Sequence, residues 1–240
     1  MEDRSISSNY VFTIFQDRNN IYWVGTVKGL NRFDPDKEKF KLWNVRDKTK
    51  KTFINNNIWD IYKGNSKEIW LGTENGILLF NMKSKEVIKK GLFDRFETNR
   101  ISLVTKDSRN NLWIGTDRKG LFKYNLDSND LVNFKNNPDD KNSISGNKIY
   151  ILIETRDGSL WIGTDKGINR FDQERNAFDS FIDINDNGSS FSKNSVLSLD
   201  EGLDGVLWIG TEIGLYIFDP KLKKIMRWIY KKNTKKVVIL

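Results

Sequence analysis

Asp183-Ile-Asn185-Asp186-Asn187-Gly188 is the stretch of this chain with the spacing of a metal loop. Alternating side-chain oxygens of this kind wrap a calcium ion, and the glycine permits the sharp bend. The twelfth position, however, is Asn194 and not a bidentate glutamate, and a polar loop with Asx turns accounts for the same residues. Calcium at Asp183, Asn185 and Asn187 is therefore the one cofactor expectation, set against none at all. The adjacent carboxylates Asp139 and Asp140 raise glycoside hydrolysis, which needs two acids about 5–10 Å apart, but acids in surface loops are commonplace without that role. The chain has no histidine. That removes imidazole acid–base catalysis, the Ser-His-Asp arrangement and most zinc sites. It has no cysteine either, which excludes disulfides and thiol chemistry while leaving the compartment open. The chain reads as a non-enzyme.

Charge narrows the partners. The net charge is +8, but eight Lys and Arg residues and no acid fall within 221–240. The remaining 32 basic residues equal the 32 acids, so the body has no cationic field of the kind that nucleic-acid binders use. Nucleic acid is not an expected partner. The Lys-rich stretch 221–236 reads as a solvated last strand and terminus, with anionic lipid head groups as the alternative, and residues 231–240 form a basic C-terminal tail beyond the last blade. No run approaches the roughly 18 apolar residues needed to cross a membrane, and the first residues lack the apolar core of a signal peptide.

The elements that would carry a site come from a repeat. Trp23-Val-Gly-Thr26 recurs as Trp70-Leu-Gly-Thr73, Trp113-Ile-Gly-Thr116, Trp161-Ile-Gly-Thr164 and Trp208-Ile-Gly-Thr211, at spacings of 47, 43, 48 and 47. Such a period signals repeat architecture. Fourteen residues before each tryptophan stands asparagine (Asn9, Asn56, Asn99, Asn147, Asn194). Twelve and nine before it stand aliphatic residues, Val11 and Ile14 in the first copy and Val196 and Leu199 in the last. After the threonine and an intervening turn comes a glycine (Gly29, Gly76, Gly120, Gly167, Gly214), then an aliphatic residue, and then an aromatic followed by Asp or Asn. Four short strands per copy, here named a to d, separated by turn formers, predict the blade of a β-propeller; no stretch keeps a helical period. The expected fold is all-β, with five four-stranded blades at about 5–43, 53–90, 96–134, 144–181 and 191–230, forming a closed five-bladed ring or an open segment of a larger, about seven-bladed propeller. Strand b is apolar on both faces, so its tryptophan is expected between neighbouring blades, and the glycine after it should let an adjacent side chain approach.

Residues that recur five times are structural, so a site is sought where the copies differ. The links from strand d to the next strand a, roughly 44–52, 91–95, 135–143 and 182–190, vary most. The b–c turns carry Lys28, Glu74, Asn75, Asp117, Arg118, Lys119, Asp165, Lys166 and Glu212, and these are the ligand-binding candidates. Arg118 belongs to a turn with one extra residue. Trp59 occupies a variable position of strand a and reads equally as core or as a ring for a sugar face, whereas Trp43 matches the strand-d aromatic and reads as core.

The fourth copy, Leu160-Trp-Ile-Gly-Thr-Asp-Lys-Gly-Ile-Asn-Arg-Phe-Asp172, together with the link Asn137-Pro-Asp-Asp-Lys-Asn-Ser-Ile-Ser-Gly-Asn147, closely resembles the two-component regulator propeller repeat. The resemblance covers about residues 5–230. It implies the extracytoplasmic or periplasmic sensor of a histidine kinase, including hybrid two-component systems, with a small-molecule or oligosaccharide ligand. It also implies further propeller repeats and a kinase in the full-length protein, with a homodimer among the assemblies open to it. The alternative is a protein–protein interaction scaffold. A propeller lyase resembles the chain weakly, but its mechanism depends on histidine. The Asp-Gly turns before Trp161 and Trp208, Asp157-Gly158 and Asp204-Gly205, resemble sialidase Asp-boxes, which are structural in that family too.

Overall fold

The structure is a computed structural model that describes residues 5–43, 57–84, 86–88, 100–181 and 194–227. It contains five four-stranded antiparallel sheets, each ordered as its strands occur along the chain. The first comprises β1 (Val11–Gln16), β2 (Tyr22–Thr26), β3 (Gly29–Asp34) and β4 (Lys39–Trp43). The second comprises β5 (Ile58–Lys63), β6 (Glu68–Thr73), β7 (Gly76–Asn81) and β8 (Glu86–Ile88). The third runs through β9 (Ile101–Lys106), β10 (Asn111–Thr116), β11 (Leu121–Asn125) and β12 (Leu131–Phe134). The fourth consists of β13 (Ile149–Glu154), β14 (Leu160–Thr164), β15 (Gly167–Asp172) and β16 (Ala177–Phe181), and the fifth of β17 (Val196–Glu201), β18 (Leu207–Thr211), β19 (Gly214–Asp219) and β20 (Lys224–Arg227). Among the described residues the one helical turn is the 3-10 segment Pro35–Lys37. The chain divides into two compact units, residues 1–105 and 106–240.

In the first unit Trp23 lies edge-on to Phe80 of the next blade, with centroids 6.2 Å apart. Ile58, Ile61, Ile69 and Leu71 of the second blade complete that core. The glycine of the motif is what admits Ile58: a β-carbon on Gly25 would sit 2.9 Å from the Ile58 Cγ2 and carbonyl oxygen. Gly72 meets Ile101 in the same way. The second unit repeats the pattern, with Trp113 against Phe171 at 5.0 Å and Trp161 against Phe218 at 5.5 Å. Val196 packs there onto Gly163. The expected place of the tryptophan between blades is thus the observed one.

The aliphatic position twelve before the tryptophan is closed off in blades two to five but open in the first. Ile58, Ile101, Ile149 and Val196 are at most 1% exposed, while Val11 is 42% exposed.

The a–b turns also have a common frame. Asp107 uses one carboxylate oxygen for the Arg109 and Asn111 N–H groups and the other for Asn111 Nδ2 and Trp113 Nε1, the last at 2.8 Å. Asp17 does the same for Asn19, Ile21 and Trp23. Thr155 replaces the aspartate in the fourth blade, where its hydroxyl bonds Asp157 and the Ser159 carbonyl. In the second and fifth blades glycine stands there, and the indole comes close: a β-carbon on Gly64 or Gly202 would lie 3.3 or 3.1 Å from the Trp Nε1.

Candidate functional site

The b–c turns are built by the threonine of the repeated motif. Its hydroxyl donates to the carbonyl of the following glycine, at 3.0 Å for Thr26 and 2.8 Å for Thr73. The same oxygen accepts a backbone N–H from within the turn, from Lys28 at 3.1 Å and Asn75 at 3.2 Å. Thr116 serves Lys119, Thr164 serves Lys166, and Thr211 serves Ile213. Gly29, Gly76, Gly167 and Gly214 close these two-residue turns with φ between +107° and +139°, a range that disfavours any residue with a β-carbon. The hydroxyl therefore satisfies the turn's polar backbone and leaves the loop side chains to point outward. Lys28, Asn75, Arg118, Lys119, Lys166 and Glu212 are exposed, while Glu74, Asp117 and Asp165 are partly buried.

A second repeated device lies at the start of strand a. The a–b register slips by one residue between Val11 and Thr13, Ile58 and Asp60, Ile149 and Ile151, and Val196 and Ser198. Phe12, Trp59, Tyr150 and Leu197 are the bulged residues. A bulge frees one residue from the ladder and re-aims its side chain. In the first unit Phe12 stacks on Trp59 at 3.9 Å, and the Arg100 guanidinium lies 3.7 Å from the Trp59 ring. Groups of that size at those distances occupy opposite faces of the indole. Trp59 thus has no free face for a sugar, and its edge is committed too, because Nε1 donates to Glu74 Oε2 at 2.8 Å. The structure therefore brings Trp59 and Glu74 together as a frame for Arg100. Lys28 and Asn75 are exposed residues of the b–c turns of the same unit.

In the second unit the corresponding residues are Asp117, Lys148, Tyr150 and Asp165. Lys148 Nζ lies 3.7 Å from Asp117 Oδ1 and 4.9 Å from the Tyr150 ring. Its backbone N–H donates to Asp165 Oδ1 at 3.2 Å. Arg118 is 90% exposed, with Nε 3.8 Å from Asp117 Oδ2. Among the described residues, two buried side-chain polar atoms have no hydrogen-bond partner: Arg100 Nε and Asp117 Oδ1. Buried polar groups are nearly always satisfied, and both exceptions lie beside b–c turns.

Arg100 and Lys148 were not candidates from the sequence. They occupy one column, thirteen before the tryptophan, where Tyr10, Asn57, Arg100, Lys148 and Ser195 differ completely. That variability next to an unvarying asparagine was the available signal. The asparagine itself is structural: Asn147 Oδ1 accepts the Asn136 N–H at 2.9 Å and ties down the d–a link. In the same link Asp140 Oδ1 accepts the Asn142 N–H. The calcium motif, Asp183, Asn185 and Asn187, lies outside the described residues.

Another buried carboxylate sits on β5. Asp60 accepts the Val104 N–H at 2.7 Å, the Ile61 N–H at 2.9 Å and the Thr13 hydroxyl at 3.5 Å, joining three successive a strands. Burial outweighs these bonds and pushes its carboxyl up from 3.8 to about 6.

Residues 5–28, 52–75, 96–118 and 143–166 match the family model described as "Two component regulator propeller". A histidine kinase, P4, from Formosa agariphila is 29% identical over 172 residues, which span 68% of this chain and 12% of that protein. Among solved structures, the extracellular domain of a protein assigned as a hybrid two component system in B. thetaiotaomicron superposes with a TM-score of 0.75 at 20% identity. That match covers 95% of this chain and 30% of the other. A second extracellular domain from that organism, assigned to a one component system, gives 0.65 at 21% identity over 98% of this chain and 35% of its own. No helix among the described residues is long and apolar enough to cross a membrane. On the repeated motif and the four segments that match the family model, the chain belongs to the two-component regulator propeller family.

Proposed function

We propose that this chain is the ligand-recognition part of an extracytoplasmic two-component sensor, and that it binds a small polar molecule, with oligosaccharides the first class to test, at the b–c turns and strand-a bulges of its blades. The observation that carries this reading is a buried side-chain atom without a hydrogen-bond partner beside a b–c turn in each unit, the donor Arg100 Nε in the first and the acceptor Asp117 Oδ1, which faces Lys148 Nζ at 3.7 Å, in the second. Leaving such a group unsatisfied costs about 1–3 kcal/mol, and a ligand group that can accept from the one or donate to the other recovers it at either turn. Hydroxyl groups of a sugar do both. Exposed Lys28 and Asn75 on the b–c turns of the first unit, and Lys119 and Lys166 on those of the second, offer further polar groups. The module acts by binding and leaves chemistry to a kinase elsewhere in the full-length protein, as the name of the Formosa relative suggests. Calorimetry and thermal shift against a broad panel of oligosaccharides test it. Saturable binding that is lost in Arg100→Ala or Asp117→Ala supports the site. Silence across the panel, or binding indifferent to both substitutions, refutes it.

A further inference from the structure

At the opposite strand ends, the clefts between blades are closed in the second unit by a glutamate and are open in the first. Glu201, the last residue of β17, accepts the Arg156 N–H at 2.9 Å and the Arg156 Nε at 3.2 Å. Glu154, the last residue of β13, accepts the Ser108 N–H at 2.8 Å and also the Ser108 hydroxyl. In each case a carboxylate from the end of strand a clamps the a–b turn of the preceding blade. By repeat position, the corresponding pair in the first unit is Lys63, ending β5, and Arg18 in the turn of the first blade. Two cations stand where the other clefts have an acid and its donors.

A cavity of about 580 Å³ lies in this cleft, within the range of small-molecule sites. Asp17 and Asn19, on either side of Arg18, line it from the first blade, and Ser66 and Lys67 line it from the second. Lys83 joins them from the c–d turn, which is held beside the a–b turn by the Met82 N–H to Lys67 carbonyl bond of 2.8 Å. Two of the cavity's acids, buried Asp34 and half-buried Asp17, are already committed. Asp17 serves its own turn and Trp23 Nε1 at 3.0 Å, and Asp34 pairs with Arg32 at 3.3 Å and Lys37 at 3.4 Å. Asp36 is exposed at the rim. Arg18, Lys63, Lys67 and Lys83 have no carboxylate partner among the described residues.

We propose that this cleft between the first two blades binds a small polycarboxylate, one carboxylate lying between Arg18 and Lys63 in the position that Glu201 and Glu154 fill elsewhere, and another between Lys67 and Lys83. The first would accept the Arg18 N–H and guanidinium, as Glu201 accepts those of Arg156. The second would bridge two ammonium groups brought side by side by the paired turns. This site is separate from the b–c edge and does not depend on it.

Citrate, titrated into the full chain at constant ionic strength while amide NMR shifts are followed, tests the proposal. The expected result is a saturable shift of the Arg18 and Asn19 amides. K63E supplies the missing glutamate, so it should weaken citrate binding by about tenfold or more and raise the melting temperature by closing the cleft. The double variant K67A/K83A should also weaken binding while leaving the fold unchanged, and it decides the matter should K63E misfold. No saturable shift in the wild type, or citrate affinity within about twofold of wild type in both variants, overturns the proposal.

Discussion

Asp60 should make the first unit less stable as pH rises. Its carboxyl titrates at about 6 in the folded chain against an ordinary 3.8, because the desolvation of the charged form outweighs three hydrogen bonds. The folded state therefore holds the proton more tightly than the unfolded state does. The stabilisation is full below 3.8 and is lost as pH rises through 6. The gap converts to about 3 kcal/mol at 1.36 kcal/mol for each pH unit. Several aspartates work the other way: hydrogen bonds from Thr155 lower Asp157, those from the Arg175 backbone and side chain lower Asp172, and that from Arg175 lowers Asp179. The measurement must therefore be a difference. Urea unfolding of wild type and Asp60→Asn at several pH values between 3.5 and 7.5 isolates the residue. The absolute level at any one pH is ambiguous, since asparagine leaves the Val104 or Ile61 N–H short of an acceptor at a cost of about 1–3 kcal/mol. The slope is not ambiguous. Wild type should lose about 2.4 kcal/mol relative to Asp60→Asn between pH 4 and 7, and the Val104 amide resonance should titrate with a midpoint at about 6. Parallel stability curves for the two proteins would refute the assignment of a buried, destabilised carboxylate.

Three further outcomes follow from the packing, each read by urea unfolding. Ile58→Ala should cost about 2–4 kcal/mol, and Val11→Ala under about 0.5 kcal/mol, although both occupy the same repeat position, because Ile58 is 1% and Val11 42% exposed. Asp107→Ala should cost about 3 kcal/mol or more, since it orphans the buried Asn111 N–H and Trp113 Nε1 together. Gly163→Ala should cost about 1–3 kcal/mol through overpacking, because its new β-carbon meets the Val196 carbonyl oxygen at 2.8 Å; Gly158→Ala, with nothing nearby but φ +80°, should cost about 1–2 kcal/mol through backbone strain alone.

Most of the fold was legible because it is written five times. Each template column had one physical role, and five copies averaged away the local noise. Glycine before threonine read as room for a neighbour, and Ile58 and Val196 occupy that room. The candidate site was legible only in part, for the opposite reason. The b–c turns were visible as variable loops, but the importance of Arg100 and Lys148 depends on a bulge that slips the register of strand a, and a bulge leaves no residue signature here. Trp59 illustrates the limit. Its type and variability left core and open ring equally balanced, and Phe12 and Arg100, 47 residues before and 41 after it, cover both faces. The lysine at position 63 was equally silent until Glu154 and Glu201 were seen to clamp the corresponding turns.

The threonine that pins each b–c turn separates what a blade displays from what it is made of. Val-Lys, Glu-Asn, Asp-Lys and Glu-Ile all sit in the same two-residue frame, and Asp-Arg-Lys fits with one residue more. The bonds that hold the loop come from a hydroxyl and a main-chain carbonyl, neither of which depends on the displayed side chains. Substitutions at Lys28, Asn75, Lys119 and Lys166 are therefore close to additive, with each blade an independent letter. An array built this way can change its vocabulary without renegotiating its grammar, at the expense of placing every letter on the same short, stiff stem.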